Sequence, residues 1–128
     1  MDYGYKRVIN NTFEETEKNL RESLMEHGFG VITEIDVTNI FKQKLNKDFK
    51  KYKILGACEP HIAHSALSMD EQIGLLLPCN LVIWENNESV TTIATIDPRA
   101  QLSIAGISEL MEHAEEINLK LKAAVDKL

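Results

Sequence analysis

Residues 74–96 read GLLLPCNLVIWENNESVTTIATI. Gly74 to Glu85 and Val90 to Ile96 are rich in strand-forming residues, and Asn86-Asn87-Glu88 between them carries turn chemistry, so the stretch predicts an antiparallel hairpin. Pro78 complicates the first arm. Having no N–H, it cannot donate to a ladder, which makes residues 77–80 a bulge, a strand start or an edge position. The runs GLLL and LVIW are apolar on both alternating faces, so the hairpin needs cover on both sides, most simply a second copy of the chain on the side the helices leave free.

Downstream of the hairpin, Asp97-Pro98 reads as the cap and first residue of a short helical turn. Ser108 is placed to cap a long helix whose Leu110, Met111, Ala114, Ile117, Leu121, Ala124, Val125 and Leu128 keep one apolar face. Upstream, Thr12 and Glu15 match a capping box, Phe13, Leu20 and Leu24 recur at helical spacing, and Gly28 supplies a left-handed stop. Phe29 to Asp36 returns as a strand, and Asp36 caps a short helix carrying Val37, Ile40, Phe41 and Leu45 that ends at Asn46-Lys47-Asp48. Tyr52 to Ala57 is a strand leading into Cys58, and Pro60 opens another helix with Ile62, Ala63, Ala66 and Leu67 as its buried stripe.

With Tyr3 to Ile9 as the first strand, the order predicts an α+β fold: a mostly antiparallel curved sheet with two main helices packed on one face plus short connecting helices. The 128 residues form a single domain, 1–128, large enough for one core and too short to divide into two. Apolar residues at 44%, charged residues at 27% and only three prolines describe a folded chain. A net charge of −6 opposes the phosphate attraction behind most nucleic-acid binding, and the six lysines between Lys42 and Lys53 read as a solvated helix and turn. The start MDYGYKRVINN lacks signal-peptide character and the run Ile73 to Pro78 is far short of a membrane span, so the expected location is cytoplasmic, with no membrane partner. In that compartment Cys58 and Cys79 are expected reduced.

The two cysteines are nevertheless where chemistry is to be sought, each beside a proline, with His61 and His64 close after the first. One reading is a zinc or copper site built from Cys58, His61, His64 and Cys79, since soft sulfur and imidazole suit those ions and the histidines fall three apart on a helix. A second is thiol chemistry. Cys58 precedes a helix N-terminus, which favours thiolate, while Glu59 next to it opposes that effect. The third makes both cysteines inert filling, with Gly56, Pro60 and Pro78 as backbone corners. No glycine-rich phosphate loop, paired catalytic carboxylate motif or nucleophile elbow is present, so the case for an enzyme stays open and thin.

The segments YKILGACEPHIAHSAL and IGLLLPCNLVIWE, the Asp97-Pro98 pair and the C-terminal amphipathic helix together resemble the domain of unknown function 302 family, as does the lead-in EIDVTNIFKQKL. Gly56, Ala57, Cys58, Pro60, Ala63, Ala66 and Leu67 match its first motif, and Gly74, Leu77, Pro78, Cys79 and Asn80 its second. The resemblance implies a curved antiparallel sheet of the TATA-box-binding-protein-like class and association as a homodimer. It implies no established activity, and a shared fold carries none with it. The family often has a second proline where this chain has His61, so the resemblance gives the histidines no ligand role, while Cys58 and Cys79 match. The expectation is therefore a noncatalytic homodimer, without a cofactor, that binds a small molecule or partner in a pocket near Cys58, Pro60, Cys79 and Asn80, with thiol- or metal-dependent activity as the alternative.

Overall fold

The structure, a computed structural model, describes residues 2–128. Five strands form one curved antiparallel sheet in the order β1-β5-β4-β3-β2: β1 Gly4–Ile9, β2 Gly30–Asp36, β3 Tyr52–Cys58, β4 Cys79–Asn87 and β5 Val90–Ile96. The helices are α1 Phe13–Glu26, α2 Val37–Leu45, α3 Pro60–Met69, α4 Pro98–Leu102 and α5 Ser108–Asp126. All four strand pairings are antiparallel, and β4 and β5 form the hairpin expected of residues 74–96.

Local chemistry sets most boundaries. The Thr12 hydroxyl accepts from the Glu15 N–H to start α1, and Gly28 leaves that helix at φ +88°, a conformation glycine adopts without a Cβ penalty. Asp36 caps α2, which stops at Asn46 in the left-handed region, and Asp97 caps α4. Two expectations change. Residues 71–76 form a 3-10 turn rather than the start of a strand, because Asp70 caps that turn and Pro78, with no N–H to donate, precedes the ladder, which begins at Cys79. Ser108 is the first residue of α5 rather than its cap: Ile107 holds the cap position, and the Ser108 hydroxyl turns to Glu109.

The strand period of two divides the sheet. Leu55 and Ala57 of β3, Leu81 and Ile83 of β4, and Thr91, Ile93 and Thr95 of β5 face inward and are buried. Against them lie Leu20 and Leu24 of α1 and Leu110, Ala114, Leu121 and Val125 of α5, the apolar stripes read from their spacing. The Ser23 hydroxyl donates to the Ala124 carbonyl at 2.6 Å and ties the two helices together.

The opposite face carries Tyr52, Ile54, Val82, Trp84 and Ala94, all half-buried, with the more exposed Val8 and Ile35 on the outer strands. Tyr52 stacks on its register partner Trp84 at 6.0 Å, and Phe49 meets Tyr52 edge-on. The depression there is bounded by strand and loop residues alone, among them Tyr3, Lys6, Phe49 and Trp84.

Candidate functional site

β3 carries the chain to Cys58, and Glu59-Pro60 turns it at once into α3. Both Glu59 carboxylate oxygens serve that turn, accepting from the His61 and Ile62 N–H groups at 3.1 and 3.0 Å. The 3-10 turn then brings the chain back to Pro78 and Cys79, whose strand partner is Ala57. The two cysteine segments thus become neighbours although the sequence separates them by a helix and a turn.

Between them and the helical layer lies an apolar cavity of about 290 Å³. Ala57 and Cys79 form its floor, Leu110 and Ile117 of α5 one wall, and Ile62, Ala63, Ala66 and Leu67 of α3 another. Phe29 and Leu102 close the ends. Ile32, Cys58, Glu59, Leu67 and Gly74, each part or well exposed, mark the side open to solvent. Ile32 is there because β2 bulges: Val31 pairs with Ala57 and Thr33 with Gly56, leaving Ile32 as the extra residue. A bulge re-aims the side chain at that position.

Pro78 lines the cavity beside Cys79 and also packs against β3. Its ring packs on Gly56, where an added Cβ would lie only 2.6 Å from Pro78 Cγ, and its carbonyl accepts from the Gln101 side-chain N–H at 3.2 Å. These contacts set where Cys79 enters the sheet.

Both cysteines are free. Burial, with a smaller contribution from Cys58, pushes the Cys79 thiol up to about 11, and burial together with the Glu59 charge raises Cys58. At neutral pH both thiols therefore stay protonated and present themselves to the cavity as small neutral groups rather than nucleophiles.

Of the residues singled out in the sequence, Cys58 and Cys79 are brought together on the cavity. Pro60 occupies the first turn of α3 outside the lining, and Asn80 pairs with Gly56, exposed on the opposite face of the sheet. His61 and His64 are exposed on α3 and also outside the lining. Among the described residues no three His, Cys, Asp or Glu side chains come close enough to hold a metal ion, so Cys58, His61, His64 and Cys79 do not converge as a ligand set. The exposed histidines follow from helix geometry: Ile62 and Ala66 take the inward face of α3, and positions 61 and 64 fall away from it.

Leu67, read as part of the buried stripe, is 39% exposed because it sits at the cavity mouth. Sequence reading missed Phe29, Ile32 and Leu102 as cavity residues. The apolar stripe of α5 did signal that Leu110 and Ile117 turn inward, although not that a void would separate them from α3.

A family model described as "Domain of unknown function DUF302" matches residues 5–128. The chain belongs to the DUF302 family. A crystal structure of an uncharacterized conserved DUF302 protein from Bacillus stearothermophilus is 31% identical, covers 98% of each chain and superposes with a TM-score of 0.89. No curated protein matches the chain. Membership in DUF302 therefore brings an architecture and no assigned activity, and the chemistry has to be read from the cavity itself. No helix among the described residues is long and apolar enough to cross a membrane.

Proposed function

We propose that this DUF302 protein is a noncatalytic binding domain that takes a small apolar molecule into the cavity beside Cys58 and Cys79. The observation that carries this reading is the cavity: about 290 Å³, lined by aliphatic side chains, Phe29 and two neutral thiols, and reachable from solvent. A sealed cavity of about 150 Å³ admits benzene, so this one holds roughly ten to fifteen non-hydrogen atoms and, being open at its mouth, lets a slightly larger ligand protrude. Raised thiol pKa values and the absence, among the described residues, of a third ligating group beside them weigh against the thiol- and metal-dependent alternatives.

The test is a titration with the neutral fluorophore N-phenyl-1-naphthylamine. Saturable enhancement is expected, and Ala63→Trp, which puts an indole into the open wall, should weaken it at least ten-fold while leaving the circular dichroism spectrum unchanged. Unsaturable enhancement, or equal binding by the variant, would remove the cavity from consideration.

The same proposal includes a homodimer joined through the free sheet face. Support comes from the half-buried Val82 and Trp84 in a depression lined, among the described residues, by strand and loop residues, since contiguous apolar surface of this kind marks association sites. Sedimentation equilibrium should give a dimer that Trp84→Glu converts to a folded monomer, and a monomeric wild-type protein at 100 µM, roughly the upper range for a stable dimer, would refute it.

A further inference from the structure

We infer that the cavity selects its ligand by charge, accepting uncharged or amine-bearing hydrophobes and turning away carboxylates. The inference rests on the proposed binding reading and concerns what stands at the mouth. Apolar cavities that hold amphiphilic acids need something for the carboxylate: a lysine, an arginine, or free N–H groups at a helix start. Here the lining contains no Lys, Arg or His among the described residues.

α3, whose N-cap Glu59 lines the mouth, has its first donors already used. Pro60 has no N–H, His61 and Ile62 donate to the two Glu59 carboxylate oxygens, and Ala63 donates to the Glu59 carbonyl. A negative side chain thus occupies the place where an anionic headgroup would sit. Glu59 is only half-buried and lines the opening, so its charge faces whatever protrudes from the cavity. An incoming carboxylate would meet like charge in partly desolvated surroundings, and an ammonium or hydroxyl would meet an acceptor with lone pairs to spare.

A matched series tests this: 1-octanol, octylamine and octanoate, each displacing N-phenyl-1-naphthylamine from the intact protein at pH 7. Octanol and octylamine are expected to displace the probe at concentrations at least five-fold lower than octanoate, and Glu59→Gln should narrow the gap from both sides, improving octanoate and weakening octylamine. Octanoate displacing as well as octanol would overturn the charge inference and leave the cavity reading standing. Failure of the probe to bind at all would overturn both. If Glu59→Gln does not fold, the wild-type series still separates these outcomes.

Discussion

At Cys79 a packing choice becomes a titration. The folded protein binds this thiol's proton more tightly than the unfolded chain does, raising its pKa from 9.0 to about 11. The resulting stability is fully present below pH 9.0 and is lost as pH rises through about 11. Two units correspond to about 3 kcal/mol. Urea unfolding between pH 8 and 11, roughly the span over which thiols titrate, should show a steeper loss in the wild type than in Cys79→Ala; parallel slopes would refute the assignment. Gly56 makes a second residue-scale case. Its missing side chain lets Pro78 and Thr33 approach the β3 backbone. Gly56→Ala must displace both the Thr33 hydroxyl and the Pro78 ring, and the expected cost is about 1–3 kcal/mol, read as a lowered urea midpoint at unchanged m-value.

Among the elements, β1 and α5 are joined by a clasp. Arg7 donates to the Val125 and Leu128 carbonyls, both at 2.8 Å, placing a positive charge at the C-terminal end of α5, and the Tyr5 hydroxyl donates to Asp126. Arg7→Ala should cost about 1–3 kcal/mol in thermal or urea unfolding, and because both bonds leave one nitrogen, Nη1, Arg7→Lys should recover part of it. Elements of this kind were legible wherever the signal was local. Thr12, Asp36 and Asp97 announce their helices because a short side chain reaches a backbone N–H two or three residues on. Leu110 to Val125 announce α5 because burial imposes a period. The β2 bulge was not legible: Val31, Ile32 and Thr33 look alike as strand formers, and the extra residue appears only in the register against β3. The turn at Glu71–Leu76 misled for a related reason, as an apolar run without a clear period fits a strand or a buried turn equally well. The two cysteine segments were legible as a place but not as a cavity, whose walls come from α3, α4 and α5, far apart along the chain.

For the molecule as a whole, topology separates near neighbours from distant ones. β2, β3, β4 and β5 lie side by side in chain order, while β1 crosses to the far side of β5, pairing Gly4 with Ile96. The helix that locks it, α5, is the last element. This arrangement implies an order of assembly. Each of the four consecutive strands pairs with the next one along the chain, whereas β1 must wait for β5 to be in place, so its docking comes late, at the greatest loop-closure entropy. Stopped-flow chevrons on Arg7→Ala should then show a faster unfolding arm with the folding arm nearly unmoved, while Leu81→Ala, in the four-strand unit, should slow folding. The reverse pattern would place β1 in the nucleus. If the first strand is the last to arrive, it is also the first to leave: the β1 edge of β5 becomes transiently unpaired whenever the clasp opens, and the residue that guards this protein against strand exchange between molecules is an arginine on the opposite side of the sheet from the face on which copies are proposed to meet.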